Sequence, residues 1–305
     1  MGDLTRSVGV VVMVITAIVG CSPKRYAINT VSDILSSGDS VYENDDDIIL
    51  VGEALPFGLK FVESMLAQSP DHRGLLLTAS RGYVLYSYAY VDFDSEQVAQ
   101  KNLSESRELR SRARKLYLRA LDYSLRAIDV TYPGFSQQLP VDPEVAVARV
   151  GTRRKDLDIA SLYWAAASLG LAISVSKNNT SMLARLPEVD ALVQRAFVIE
   201  PDWNKGVLHE LAITLAASRR TGVELAALRS HYQMALELSH GNRAGVYVSY
   251  AEAVSTRTQN REEFEQLLNQ ALAVDINVDK SNRLINVIAQ RRARWLLDRA
   301  DELFL

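Results

Sequence analysis

The sequence predicts an all-helical chain built from repeated helix-turn-helix units, and three observations carry that prediction. Glycine and proline are scarce, 15 and 8 in 305 residues, too few for the many turns of a β protein. Related tetrapeptides close successive amphipathic runs: "AIDV" from Ala127, "AFVI" from Ala196, "ALEL" from Ala235 and "ALAV" from Ala271. Each precedes a turn-forming stretch, and they lie 69, 39 and 36 residues apart. Periods in the mid-thirties signify stacked helix pairs. The expected architecture is therefore all-α, a tetratricopeptide-like helix-turn-helix solenoid of about four hairpins with a C-terminal capping pair.

The chain opens with an apolar run, Val8 to Val19, behind a short segment carrying Arg6. As a helix this run reaches only about 18 Å, short of the roughly 30 Å of a bilayer core, so it reads as the core of a signal peptide and not as a span. Ile18-Val19-Gly20-Cys21 resembles a loose bacterial lipobox, in which a small residue precedes a cysteine that is lipidated and becomes the mature N-terminus. Residues 1–20 are thus expected to be a lipoprotein signal peptide, and Cys21 the lipidation site. Ordinary signal-peptidase cleavage, or a buried free thiol, is the alternative. Cys21 is the chain's one cysteine, so no internal disulfide forms and the exported part holds together by packing.

Residues 21–47 are rich in Ser, Asn and Asp and read as a tether or an N-terminal helix. They end in "ENDDD", which lacks the spaced oxygens and central glycine of a calcium loop and reads as a negative helix start. From residue 48 to 305 the chain reads as one helical domain. Helix pairs are expected near 54–91, 98–176, 187–218 and 224–256, with helices near 261–273 and 280–304 as the cap. In "REEFEQLLNQALAV" the residues Phe264, Leu267, Leu268, Ala271 and Leu272 make one apolar stripe, and the recurrent alanine lets partner helices approach closely. Pro187 and Pro201 punctuate helix ends. The interval of 69 residues exceeds one repeat, and the excess falls near 131–155, an insertion expected to carry function because long connections in compact domains commonly do.

Composition narrows the function classes. Lys plus Arg number 34 and Asp plus Glu 37, so nothing marks a polyanion partner, and nucleic acid is not expected. His72, His209, His231 and His240 have no metal-ligand spacing, and "LHELAI" lacks the second histidine of a zinc protease motif. His209 and Glu210 read as an ordinary polar pair on a helix end. No nucleophile elbow or phosphate loop occurs. No catalytic residue, metal or cofactor is expected. Aromatic and cationic residues among the helices remain: Tyr83 and Tyr86, Tyr163 and Trp164, Tyr247, Tyr250 and Glu252, and Arg291, Arg292 and Arg294. Core packing and ion-paired faces account for such residues singly. On the inner helices of a curved array they become candidate concave-face or pore contacts, with arginine suited to carboxylates.

Five stretches carry a resemblance: "EALPFGLKFVESMLAQSPDHRGLLL" (53–77), "ASLYWAAASLGLAIS" (160–174), "RAGVYVSYAEAV" (243–254), "REEFEQLLNQALAVD" (261–275) and "NRLINVIAQRRARWLLDRADELFL" (282–305). They resemble the T-component (TatT) family associated with tripartite ATP-independent periplasmic (TRAP) transporters, in a treponemal type. The resemblance implies a periplasmic lipoprotein anchored to the membrane, the inner membrane foremost. It also implies cryptic tetratricopeptide-like hairpins, a homotrimer, and a water-filled pore or cavity. The implied partner is the transporter's periplasmic substrate-binding protein, the P component, whose ligand the cavity holds or passes. The alternative is a free-standing periplasmic adaptor that grips peptides of an envelope-assembly machine.

Overall fold

Helices make up every regular element among the described residues of the computed structural model, which are 41–304 apart from 152–154, 218 and 220–221. The expected signal peptide at 1–20, Cys21 and most of the tether at 21–47 lie outside them. Asp47 ends the acidic run and caps α1 (Ile48–Leu66), its carboxylate accepting the Ile49 and Leu50 N–H groups at 3.0 Å. The helix begins at Ile48, ahead of the expected start near 54, and carries Pro56 inside it. Proline offers no N–H to the carbonyl one turn earlier, at Gly52. The bare Gly52 backbone takes the Tyr90 ring, whose hydroxyl donates to the Ile48 carbonyl at 2.7 Å.

From α2 (Arg73–Tyr86) the chain runs through a π turn (Ser87–Asp92) into α3 (Phe93–Val98) without leaving helical backbone. This composite rod lies antiparallel to α1, since Tyr83 reaches Glu63 while Tyr90 reaches Ile48. The long α4 (Leu103–Asp129) packs against it: Tyr117 donates to Asp92 at 3.1 Å and Ser106 to the Ser95 carbonyl at 2.8 Å.

The insertion near 131–155 holds two short helices, α5 (Phe135–Gln138) and α6 (Pro143–Ala148). Asp142 caps α6 by accepting the Val145 N–H at 3.1 Å, with Pro143 in the first turn. Tyr132, Phe135, Leu139, Ala146 and Val150 are buried, and Arg195 donates to the Val150 carbonyl at 2.8 Å. The segment extends the core, and none of its described residues lines either of the cavities described below.

At the centre lies α7 (Lys155–Ser174), packed by α2, α4, α9 (Leu186–Ile199) and α10 (Trp203–Ala217), with the short α8 (Thr180–Leu183) after it. By length and composition α7 is apolar enough to cross a membrane, but it is apolar on all sides because protein surrounds it. Its run Ala165 to Gly170 is wholly buried, and a side chain at Gly170 would collide with Leu215 of α10. Small residues here serve close helix approach.

The turn "EPDWNKG" is left-handed at Asn204, Lys205 and Gly206, with φ of 46°, 57° and 86°. It brings α10 against α11 (Leu225–Ser239), where Gly206 faces Ala235 and Leu238. Next come α12 (Ala244–Tyr250) with a second π turn (Ala251–Ser255), and α13 (Arg261–Ala273). A 3₁₀ turn (Lys280–Asn282), α14 (Arg283–Leu297) and α15 (Ala300–Leu303) complete the chain. Gln290 of α14 closes the end of α13, donating to the Val274 carbonyl at 2.8 Å.

The last long helix does more than cap an array. Leu284 and Ile288 of α14 share an apolar cluster with Val51, Leu55 and Ala89, and the Leu284 N–H donates to the Glu43 carbonyl at 3.0 Å. Arg291 donates to the Ala89 carbonyl at 3.3 Å, and the Trp295 ring meets Phe93 edge-on with centroids 5.4 Å apart. Helices stand where the C-terminal pair is expected, α13 and α14 packed together, and α14 in addition joins the end of the chain to its beginning.

Candidate functional site: a polar cavity within the closed helices

Beside this closure lies a cavity of about 840 Å³, open to solvent on one side. Both π turns contribute to its wall: the first supplies Tyr88 and Asp92, the second Glu252. A π turn inserts an extra residue into helical backbone and re-aims the side chains around it, and such turns concentrate at functional sites. Arg292 of α14 links the two halves of the chain. It forks onto Glu252, through Nη2 at 2.7 Å and Nε at 2.8 Å, and its Nη2 also reaches Glu96 of α3 at 3.1 Å. Burial works against the guanidinium charge, and the Glu252 and Glu96 carboxylates outweigh it, holding its pKa well above the ordinary value.

Asp92 is buried beside this fork. It accepts from Tyr117 at 3.1 Å and from Ser95 at 3.4 Å. Burial first, and the Glu96 charge second, raise its pKa to about 6. Another wall is cationic: Arg107, Arg110 and Arg114 of α4 fall at i, i+3 and i+7, on one helix face, and Lys177 follows the end of α7. Leu103, Leu171 and Val175 add apolar surface.

The structure brings Glu252 and Arg292 together in this cavity and distributes the other candidates elsewhere. Tyr83 is buried between α1 and α4, donating to Glu63 at 2.7 Å and stacked on Tyr123 at 6.0 Å. Tyr86 packs on Tyr90 and accepts from Arg112 at 3.2 Å. Tyr163 and Trp164 meet edge-on at 4.8 Å against the main core, and burial pushes the Tyr163 hydroxyl up to about 12. Tyr247 and Tyr250 surround Tyr232, Tyr250 also lining a second cavity of about 410 Å³ with Arg229 and Glu263. Arg291 lies over the Phe93 ring at 4.7 Å, and Arg294 is exposed.

His209 and Glu210 do not pair with each other. Glu210 accepts from the buried Arg243 at 2.8 Å, while His209 meets His231 of α11 through their Nδ1 atoms at 2.8 Å. Burial and the His231 neighbour push His209 down to about 4. Among the described residues no group of three or more His, Cys, Asp or Glu could hold a metal.

A family model for the TRAP transporter T-component matches residues 44–304. The chain belongs to that family. A protein of Treponema pallidum (strain Nichols), itself uncharacterised, is 28% identical over 302 residues, covering 94% of each chain. The T-component match spans every helix of the closed ring, so the cavity is a feature of the family domain and not of an appended segment. The family is one of transporter components and not of enzymes.

Sequence reasoning passed over most of the T-component cavity: Asp92, Glu96, Arg107, Arg110, Arg114 and Lys177. One signal was available, the three-arginine face in "SRELRSRARK", which reads alike for a solvated helix surface.

Proposed function

We propose that this chain is the membrane-anchored periplasmic scaffold of a TRAP-type transporter. It docks the substrate-binding P component near the permease and holds or passes that protein's ligand through the cavity. The observation that carries this reading is the family match over residues 44–304. The cavity supports the ligand part, being large enough for a small molecule and bounded by polar groups. The finer features belong to the same proposal: tetratricopeptide-like pairing of the helices, a homotrimer, and a lipid at Cys21. The outer face of α1 offers a surface for a protein neighbour, because Phe57 is 78% exposed, with Ile49 at 71% and Phe61 at 45% beside it. A lipid tether raises the effective concentration of the docked receptor near the permease without chemical turnover.

Crosslinking the membrane-bound protein in its native envelope, followed by mass spectrometry, tests the proposal. Recovery of a periplasmic solute receptor with further copies of the chain supports it. Recovery of envelope-assembly proteins with no receptor replaces it by the adaptor reading. Cys21→Ser is expected to move the protein from the membrane to the soluble periplasmic fraction, and continued membrane association would overturn the anchor.

A further inference from the structure

We infer that the cavity holds a specific binding site for a small molecule bearing oxyanion groups, carboxylate or phosphate, centred on the α4 face of Arg107, Arg110 and Arg114. The inference deepens the reading of the cavity as a ligand chamber and depends on that part alone, not on docking of the receptor. Among the described residues none of the three arginines has an ion-pair or hydrogen-bond partner. The contrast within one helix is informative. Arg112, Arg119 and Arg126, which do not line the cavity, each bond protein groups: Arg112 the Tyr86 hydroxyl, Arg119 the Tyr83 hydroxyl, Arg126 the Pro70 carbonyl.

The carboxylates of the cavity do not answer this charge, because Glu252 and Glu96 are engaged by Arg292 and Asp92 is held by Tyr117 and Ser95. Five cationic and three carboxylate side chains line the cavity, on a chain whose net formal charge is −3, so the positive excess is local. Like charges on one helix face repel, and an oxyanion between them turns that repulsion into charge-assisted hydrogen bonds.

A second, independent observation points the same way. Ser176, in the cavity wall beside Lys177, is 8% exposed, and its Oγ has no hydrogen-bond partner. A buried hydroxyl without a partner is costly unless something supplies one, and a ligand oxygen would.

Isothermal titration of the full-length protein in detergent, at constant ionic strength, tests the site with citrate and inorganic pyrophosphate as probes. Saturable binding of one probe per chain is expected. Preference for citrate assigns carboxylate, preference for pyrophosphate assigns phosphate, and equal binding assigns oxyanion charge without further selection. The double variant R110Q/R114Q should weaken binding at least about tenfold, as loss of charge-assisted bonds implies. Ser176→Ala should weaken it about threefold, the loss of one neutral hydrogen bond. Arg112→Gln makes the same charge change on the same helix outside the cavity and should leave binding within about twofold, as the loss of an exposed charge does. Binding of neither probe, or an equal loss in Arg112→Gln, overturns the site. Receptor capture in the crosslinking experiment is unaffected by that result, so the two readings fail separately.

Discussion

Two buried titratable residues make opposite contributions to the pH dependence of stability. Asp92 titrates near 6 in the fold and near 3.9 in an unfolded chain, so the folded state binds more protons between those values. Its contribution to stability is present below about pH 4 and is lost as pH rises through 6. Asp92→Asn is neutral throughout and keeps an acceptor for Tyr117. It should raise the melting temperature near pH 7.5, by a stability gain on the order of 2 kcal/mol, and leave it little changed near pH 3.5. His209 runs the other way: depressed to about 4 from about 6.5, it favours the fold above pH 6.5 and withdraws that stability as pH falls toward 4. His209→Phe, which keeps the contact with the Phe197 ring, should flatten the acid side of the profile of urea midpoint against pH. An unchanged profile in either variant would show that the buried group does not titrate as its surroundings dictate.

One close helix approach lies where α10 meets α11. Gly206 has φ of 86°, and a side chain there would lie 3.2 Å from the Ala235 Cα and 3.1 Å from the Leu238 Cβ. Gly206→Ala therefore combines backbone strain with a collision, and should cost about 2–3 kcal/mol by denaturant titration. Gly134→Ala separates the two effects: its φ is 80° but the space beside it is open, so only the backbone part, about 1 kcal/mol, should be lost. Ala235→Trp overpacks the same interface and should lower the melting temperature further. Equal losses at Gly206 and Gly134 would show that the two helices part freely.

Closure of the whole molecule depends on α14, and the Arg292 fork is its polar fastening. Removing the guanidinium leaves the half-buried Glu252 and Glu96 carboxylates without their cation, so Arg292→Gln should destabilise by roughly 1–3 kcal/mol. Because Arg292 joins Glu96 near the start of the chain to Glu252 near its end, the loss should be shared. Hydrogen exchange is expected to quicken together in α3, the second π turn and α14, while the central α7 stays protected. Faster exchange confined to α14 would mean that the apolar cluster of Val51, Leu55, Ala89, Leu284 and Ile288 holds the ring closed unaided.

The sequence by itself determined the helices, because their signals are local. The apolar stripe of α13, the acidic start at Asp47, Pro143 and Pro187 in first turns, and the turn stretches after each repeated tetrapeptide all act within a few residues of themselves. It also carried the family, through stretches whose matched span covers the ring. The tertiary structure alone decided which side chains meet. Tyr83, Tyr163 and Tyr250 went to the core because their partners, Glu63, Trp203 and Tyr232, arrive from other helices. The arginine face of α4 became a cavity wall, and not another solvated surface, because α14 returns to the first helices from more than two hundred residues away. Helical periodicity says which face of a helix avoids water; what that helix's polar face looks onto is set by elements distant in the chain.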